Sequence, residues 1–204
     1  FTHPGTPSYA NKIVIASRSF RQSKDLFDTI SSLIWNQPLL MSSVQRREDG
    51  RGWWITRTEI RLSNNAWIIV VPTGHDGSTI RGKHPSLLIL DEACFIKPDI
   101  IEGVAFPMLN VKLPDGSSKT LIMLSTPWGG INHPFRKSFM DPEFWKMKIQ
   151  SKDCPNIDQA WLEKQKANNP YKYKMENDVE WPDEESAWLR QELLLRISDD
   201  YNLI

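Results

Sequence analysis

The sequence predicts an α/β fold: a mostly parallel sheet, a β-hairpin excursion and a helical C-terminal segment. Three short aliphatic runs, residues 12–17, 86–91 and 120–125, are typical of strands buried on both faces of a parallel sheet. Stripes of apolar residues at helical spacing occur between these runs, and after residue 155 only helical patterns remain. The chain has 204 residues, which fits one large domain with a small appendage.

Composition excludes few function classes. Apolar residues make up 40% and charged residues 25% of the chain, as in ordinary globular domains. Lys plus Arg equals Asp plus Glu, at 25 each, so the net charge gives no argument for a nucleic-acid partner. No apolar run approaches the ~18 residues of a membrane span, so no membrane is expected. Cys94 and Cys154 are expected to be reduced, because a disulfide is unusual in a cytosolic chain, and their separation excludes CxxC metal spacing.

The first half of the chain predicts a strand–helix unit followed by a hairpin. Residues 12–17 form the strand, and Ser19-x-x-Gln22 resembles a capping box at the start of the helix. Residues 58–62 alternate apolar and polar side chains, and residues 66–71 return after an Asn-Asn turn. Nine tryptophans follow no fixed period; we expect most of them in cores, and a stacking surface for DNA is the alternative.

The second half predicts two further buried strands and a fourth outer strand. The run 86–91 is followed by a short helix that we expect to break near Pro107. The run 120–125 is expected to be another inner strand, and the alternation in 145–150 predicts a fourth.

Three helical stretches are predicted beyond residue 155. The first is capped at Asn156 and ends near residue 168, the second ends near Trp181, and the third begins at Glu184. We therefore predict a core domain over residues 1–153 and a helical segment over 154–204.

Residues 77–83, Gly-x-x-x-x-Gly-Lys, match a phosphate-binding loop by pattern but not by context. Such a loop needs Ser or Thr after the lysine and a helix opening there, whose N-terminal amides face the phosphates. His84 and Pro85 follow Lys83 instead, and the next strand begins at once, so we expect no room for a helix. A loop that leads into an inner strand is the predicted structure, with Arg81 or Lys83 as candidate phosphate or DNA contacts.

Two acids and two hydroxyls follow neighbouring strands. Asp91 is the last residue of the run 86–91, and Glu92 follows it. Ser125 is the last residue of the run 120–125, and Thr126 follows it. Ligands of open α/β sheets bind outside the carboxyl ends of the strands. Asp91 there can hold the water shell of a magnesium ion that bridges phosphates. Glu92 can orient and deprotonate an attacking water, and the hydroxyl pair can contact a γ-phosphate.

In this combination the chain resembles the large terminase subunit, the DNA-packaging motor of tailed bacteriophages and related viruses. The resemblance covers most of the chain and depends on the order of the segments, since each alone is unspecific. The segments are IVIASRSFRQSKDLF, GSTIRGKHPSLLILDEACF, LIMLSTPWGGINHPF, NIDQAWLEKQ, YKMENDVEW and PDEE.

The resemblance implies a RecA-like P-loop NTPase core of the additional-strand, catalytic-glutamate class, with ATP and Mg²⁺ as ligands. Asp91 resembles the Walker B aspartate, Glu92 the catalytic glutamate, and Ser125 with Thr126 the motif that couples hydrolysis to DNA movement. Implied partners are double-stranded DNA, the small terminase subunit, the portal protein and further copies in a ring on the procapsid. The implied location is the cytoplasm of an infected bacterial or archaeal host.

Two departures from the family pattern lead to further expectations. Within the given residues, we expect neither the family's Walker A segment before residues 12–17 nor its nuclease domain after the helical segment. We therefore expect an internal piece or a degraded gene, an exposed central strand slot in the sheet, and no ATP hydrolysis by this chain alone. Arg18, Arg21, Arg81 and Arg136 are each also candidates for an arginine that contacts phosphate in cis or in trans.

Two other functions remain open from the sequence. A superfamily 2 helicase or translocase fragment also places a Ser/Thr-bearing strand after an acid-bearing one, and it requires a second RecA-like lobe. An inactive remnant that serves as an interaction module requires neither nucleotide nor DNA.

Overall fold

The computed structural model describes residues 5, 6 and 9–181. Five strands form one sheet in the order β2-β3-β1-β4-β5. β2 runs antiparallel to β3, and all other neighbours are parallel, as predicted. The strands are β1 Asn11–Ser17, β2 Glu59–Arg61, β3 Ala66–Pro72, β4 Leu87–Asp91 and β5 Thr120–Leu124.

The strand–helix unit at the start of the chain is confirmed. Val14, Ile15 and Ala16 of β1 are fully buried, because the sheet has neighbours on both sides of this strand. Ser19 caps α1 (Phe20–Asn36) and accepts a hydrogen bond from the Gln22 N–H, which satisfies one of the free donors of the first turn. A four-residue helix, α2 (Pro38–Met41), follows directly.

The hydrophobic core of this region lies between α1 and the strands β1, β2 and β3. Leu26 and Ile30 of α1 pack against it, as the helical spacing predicts, whereas Leu33 of the same apolar pattern is exposed. Its buried members are Ile15, Phe27, Ile34, Val44, Ile60, Leu62, Ala66, Ile68 and Val70.

The predicted hairpin is confirmed as β2 and β3. Asn65 in the turn has φ 59°, a left-handed conformation that asparagine adopts more readily than most residues. Residues 44–55 extend this antiparallel part through bridges between Val44 and Leu62 and between Arg46 and Trp53.

The prediction that residues 120–125 form a buried inner strand is wrong. β5 is the edge strand of the described sheet, and Thr120, Ile122 and Leu124 are exposed along one side of it. β4 is inner, as predicted, and pairs directly with β5. The expected exposed slot in the middle of the sheet is therefore not present between the described strands. Continuous apolar composition does not separate an edge strand from a central one.

The predicted break near Pro107 is also wrong. Helix α4 (Pro98–Ile100), a π-helical turn (Ile101–Ala105) and α5 (Phe106–Leu109) follow one another without interruption. The Phe106 N–H bonds the Ile101 carbonyl, five residues back, so the turn is wider than in an α-helix. Pro107 then lies in the first turn of α5, where a missing N–H is tolerated.

The chain divides into two compact units between Ser125 and Thr126. The second unit holds helices α6 (Pro134–Met140), α7 (Gln159–Asn168) and α8 (Pro170–Glu176). α7 is capped by Asp158 rather than by the predicted Asn156, because the Asp158 carboxylate accepts the Ala160 N–H at 2.9 Å. The third predicted helix, from Glu184, lies outside the described residues, and the domain boundary at 153/154 stays a prediction.

The predicted strand at 145–150 does not form. These residues have no regular structure, and Trp145 is 85% exposed. A strand requires a hydrogen-bonding neighbour, and within residues 9–181 this segment has none. None of the described helices combines the length and apolar character needed to cross a membrane.

Candidate functional site

The predicted acidic pair and the hydroxyl of Ser125 lie together at the carboxyl ends of β4 and β5. Asp91 is the last residue of β4, and its partner in the parallel register is Leu124 of β5. Ser125 therefore follows β5 at the level where Glu92 follows β4. The sequence predicted that these two strands are neighbours and end at the same edge of the sheet, and the parallel pairing of β4 with β5 confirms it.

Ser125 holds the side chain of Glu92 by a direct hydrogen bond. Its hydroxyl lies 3.3 Å from Glu92 Oε2 and donates to it, while it accepts the Cys94 N–H at 3.2 Å. The backbone N–H of Cys94 thus orients the hydroxyl towards the carboxylate. Because one serine bridges two strands' ends, Glu92 is positioned rather than free to rotate.

The backbone of Glu92 is left-handed, with φ 52° and ψ 47°. This region is sparsely populated for residues other than glycine and costs roughly 1–2 kcal/mol. A 3₁₀ turn (Ala93–Phe95) starts immediately after it, with Ala93 and Cys94 buried. Strained residues of this kind are enriched at functional sites, and Glu92 is one of four described non-glycine residues with positive φ.

Both carboxyl groups have raised pKa values. Partial burial raises the pKa of Glu92, the negative charge of Asp91 raises it further, and the Ser125 hydrogen bond opposes both effects. Burial also raises the pKa of Asp91, against a hydrogen bond from the Glu92 backbone. A carboxylate whose pKa is raised towards neutrality is a better proton acceptor than an ordinary glutamate.

We expect Ser125→Ala to raise the pKa of Glu92 further, because the hydrogen bond that it removes favours the ionised carboxylate. A ¹³C NMR titration of the glutamate carboxyl carbons, in magnesium-free buffer, measures this pKa directly. Ser117→Ala removes a hydroxyl of the same strand–loop region that bonds only Asp115, and it is the matched control. An unchanged or lowered Glu92 pKa in Ser125→Ala contradicts the assigned hydrogen bond.

The other predicted site residues are not all brought to this edge. Arg18 is exposed and comes one residue after β1, whose Ala16 pairs with Leu90, so it lies at the same edge as Asp91. Lys83 precedes β4 and therefore lies at the end of that strand opposite to Asp91. The carbonyl of the next residue, His84, accepts a hydrogen bond from the hydroxyl of Tyr9, which precedes β1. Thr126 is the next residue after Ser125 and is the first of the second unit.

Arg81 lines a cleft of about 330 Å³ on the first unit. His75 and Lys97 lie in the same cleft, and their side-chain nitrogens are 3.1 Å apart. Asp76 also lines it; hydrogen bonds from Ser78 lower the pKa of this carboxyl, and the charge of Arg81 adds to the effect. Arg81 is thus exposed beside mixed charges rather than inserted into the Asp91–Glu92 site.

The expectation that no helix opens after Lys83 is confirmed, and the match to a phosphate loop therefore fails. A one-turn helix, α3 (Ser78–Arg81), lies inside the motif, with Gly77 at its N-cap. No helix opens after Lys83, because the chain enters β4 at Leu87. The lysine therefore lacks the helix N-terminus that a phosphate loop provides.

Buried hydroxyls that the sequence analysis did not single out fix the loop after β1. The Ser17 side chain is fully buried and donates to the Ser19 carbonyl at 2.6 Å. The Ser17 carbonyl accepts the N–H of the buried Thr73, which follows β3. A small polar residue at the end of a buried strand, or directly after it, is the signal that finds both positions.

The donor set at the carboxyl edge consists of hard oxygen atoms. Carboxylates and hydroxyls suit Mg²⁺, which keeps several waters and uses only one or two protein carboxylates beside phosphate oxygens. No group of three or more His, Cys, Asp or Glu side chains that could hold a metal by themselves occurs among the described residues. Asp91 and Glu92 therefore fit a magnesium ion bound jointly with a phosphate ligand. Cys94 and Cys154 are both free thiols.

Solved structures with the same fold are large terminases of phages and their ATPase domains. A mutant of the large terminase ATPase domain of Thermus phage P74-26 aligns with a TM-score of 0.64 and 16% identity, over 87% of this chain and 78% of that one. The large terminase of a thermophilic bacteriophage, in complex with ADP, gives 0.59 and 12%, over 84% and 41%. The large terminase of bacteriophage HK97 gives 0.51 and 19%, over 87% and 36%.

No protein-family model matches the sequence. No curated protein matches it either. The likeness is thus one of structure at low identity, and it confirms the predicted fold, a mixed α/β core with a mostly parallel sheet as in terminase ATPase domains.

Proposed function

We propose that this chain is part of the ATPase of a viral DNA-packaging motor, a terminase large subunit that couples ATP hydrolysis to movement of double-stranded DNA into a procapsid. The observation that carries the proposal is the Glu92–Ser125 hydrogen bond beside Asp91, at adjacent strand ends of a sheet shared with terminase ATPase domains. The thermophilic-phage terminase in complex with ADP supports a nucleotide as the ligand.

Glu92 acts as the general base in this proposal. A water molecule attacks the γ-phosphorus of ATP, the bond between that phosphorus and the β–γ bridging oxygen breaks, and the proton of the water moves to Glu92. The raised pKa of Glu92 favours this proton transfer, and the Ser125 hydrogen bond aims Oε2. Asp91 would hold the water shell of Mg²⁺, and the ion, when bound, would supply positive charge to the phosphate oxygens.

Ser125 and Thr126 couple the state of the nucleotide to the second unit. Ser125 contacts Glu92 directly, so a change in the position of Glu92 when the γ-phosphate leaves acts on Ser125. Thr126 is covalently the next residue and begins the second unit. Ser125 and Thr126 thus form a short covalent link from the contact with Glu92 to the start of the second unit.

The remaining site residues and partners follow from the same proposal. Arg18, at the carboxyl edge, is the better placed phosphate contact, whereas Arg81 is available to a nucleotide held by a second copy. Lys83 lies away from the edge and is left as a candidate DNA contact. The partners are duplex DNA, the small terminase subunit, the portal protein and further copies in a ring, in the host cytoplasm.

The test is DNA-stimulated ATP hydrolysis by the full-length protein that carries this chain. We expect release of phosphate that requires Mg²⁺ and increases with added duplex DNA, and that stops with EDTA. Hydrolysis that is independent of both Mg²⁺ and duplex DNA contradicts a packaging ATPase. Absence of hydrolysis together with absence of nucleotide binding supports the inactive remnant instead.

A further inference from the structure

Residues 126–133, which we call the coupling loop, join the end of β5 to helix α6. They begin directly after Ser125 and contain two consecutive glycines, Gly129 and Gly130. Gly129 has φ 84°, a left-handed conformation that glycine adopts readily. In the proposed function this loop starts at the residues that respond to the nucleotide. The contacts at its far end therefore determine how firmly those residues are connected to α6.

His133 ends the coupling loop and fixes it to α6 by three hydrogen bonds. Its backbone N–H donates to the Gly130 carbonyl at 3.1 Å, and its carbonyl accepts the Lys137 N–H at 3.0 Å. Its side chain caps the helix, because Nδ1 accepts the N–H of Phe135 at 3.2 Å. Histidine thus has the role that Ser, Thr, Asp or Asn has at most helix N-termini.

The imidazole ring of His133 also lies against the glycine turn of the coupling loop. A Cβ built at Gly129 would lie 3.8 Å from His133 Cβ and 3.9 Å from the ring atoms Cδ2 and Cγ, which is ordinary van der Waals contact. The ring is therefore a direct neighbour of the Gly129 backbone. One side chain contacts both the turn of the loop and the first turn of α6.

Helix α6 packs in turn against Trp181, after which the chain continues into residues 182–204. The ring centres of Phe135 and Phe139 lie 5.8 and 6.0 Å from that of Trp181. The Arg136 guanidinium lies 5.2 Å from the same indole ring. Aromatic pairs at these separations attract each other beyond the effect of burial alone. Because Phe135 is 9% exposed, α6 is packed against its surroundings and not loosely attached.

These contacts form one continuous path from Ser125 to the C-terminal segment, through the coupling loop, His133, α6 and Trp181. Energetic coupling between sites is carried by packed side chains and rigid elements, and a loop with two glycines is a soft link in such a path. His133 stiffens this link where the loop meets the helix. Helices α7 and α8 have N-caps of their own, Asp158 and Asn169, and come later in the chain.

We propose that His133 is a positioning residue of the motor, which holds the coupling loop against α6 so that bound DNA can change the rate of hydrolysis at the Glu92 site. The proposal rests on the proposed function, in which DNA stimulates hydrolysis. It gives His133 no part in the hydrolysis itself. Loss of the cap should therefore change the coupling between DNA and ATP and leave the rate without DNA unchanged.

The test is ATP hydrolysis by the full-length protein that carries this chain, measured with and without duplex DNA. The ratio of the two rates is the DNA stimulation. We expect His133→Ala to lower this ratio about fivefold, the lower end of coupling between sites, while the rate without DNA is unchanged. His133→Asn supplies a side-chain oxygen for the Phe135 N–H and should restore most of the stimulation.

The matched control is Asp158→Ala, which removes the N-cap of α7 in the same unit. The Asp158 carboxylate accepts the Ala160 N–H at 2.9 Å, so a cap of the same kind is lost outside the path. The control should lower the unfolding temperature to a similar extent and leave the DNA stimulation unchanged. Should His133→Ala unfold, His133→Gly removes the same ring and acceptor at a cap position where glycine is well tolerated.

Circular dichroism identifies the folded variants, and the ratios then separate the outcomes. Undiminished DNA stimulation in folded His133→Ala or His133→Gly overturns the proposal. So does an equal loss of stimulation in Asp158→Ala, a fall of both rates by the same factor, or a His133→Asn protein that behaves as His133→Ala does. Absence of DNA stimulation in the unchanged protein overturns the proposed function together with this proposal, whereas the other outcomes leave the proposed function intact.

Discussion

Glu92→Gln is expected to lower ATP turnover by roughly 10²–10⁴-fold in the full-length protein that carries this chain, the usual contribution of a general base. Glutamine keeps the size of the side chain and can still bond Ser125, but it cannot accept the proton of the attacking water. Phosphate release at saturating ATP and duplex DNA measures the loss. Glu143→Gln, the same change at an exposed position of the second unit, should leave turnover unchanged.

The same substitution should not destabilise the first unit at neutral pH. The pKa of Glu92 is raised in the folded state, so folding favours its protonated form. The corresponding stability is present at low pH and is lost as the pH rises through the raised pKa. Because glutamine is neutral at every pH, Glu92→Gln removes this loss, and the repulsion between Glu92 and Asp91 as well.

Thermal unfolding in magnesium-free buffer separates activity that is lost through unfolding from activity that is lost because the base is missing. We expect the unfolding temperature of Glu92→Gln at pH 7 to equal or exceed that of the unchanged chain, and the difference to shrink as the pH falls. A large drop in unfolding temperature would mean that lost activity reflects lost folding. If ATP turnover by Glu92→Gln stays within a fewfold of that of the unchanged protein, Glu92 is not the general base.

The sequence was sufficient to predict which side chains meet at the carboxyl ends of β4 and β5, because these residues are local to the strands. An aliphatic run followed by Asp91 and Glu92, and a second run followed by Ser125, fix which side chains end at the carboxyl edge once the strands are parallel. The direct pairing of β4 with β5 then follows from the topology. What the sequence could not supply is the left-handed backbone of Glu92, since that depends on the buried turn after it.

Features that depend on long-range pairing were missed or predicted wrongly. Residues 145–150 alternate as a strand does, but alternation does not provide a pairing partner, and Trp145 stays exposed. The contacts of Trp67 could not be predicted from the scattered tryptophans of the sequence, because Arg61 and Lys12 meet Trp67 through register and not through sequence spacing. Burial of β5 was overestimated for the same reason: its composition does not show that one side lacks a neighbour.

Gly77→Ala is expected to destabilise the first unit by about 2–3 kcal/mol, which for a chain of this size lowers the unfolding temperature by roughly 5–10 °C. Gly77 has φ 75°, and a left-handed backbone costs alanine about 1–2 kcal/mol. A Cβ there would lie 3.0 Å from a methyl group of Val104 and 3.1 Å from one of Ile100. Both are buried in the π-helical region, which has little freedom to move aside.

Gly82→Ala separates this packing role from phosphate binding, which the Gly-x-x-x-x-Gly-Lys pattern suggests for both glycines. Gly82 has φ −89°, and no atom lies within 4 Å of a Cβ added there, so alanine should be neutral or slightly stabilising. A phosphate loop needs both glycines for its backbone amides, and both substitutions would then weaken nucleotide binding alike. Loss of stability in Gly77→Ala alone, with equal nucleotide affinity in the folded fraction of both variants, shows that residues 77–83 pack against the π-helical turn and do not hold phosphate.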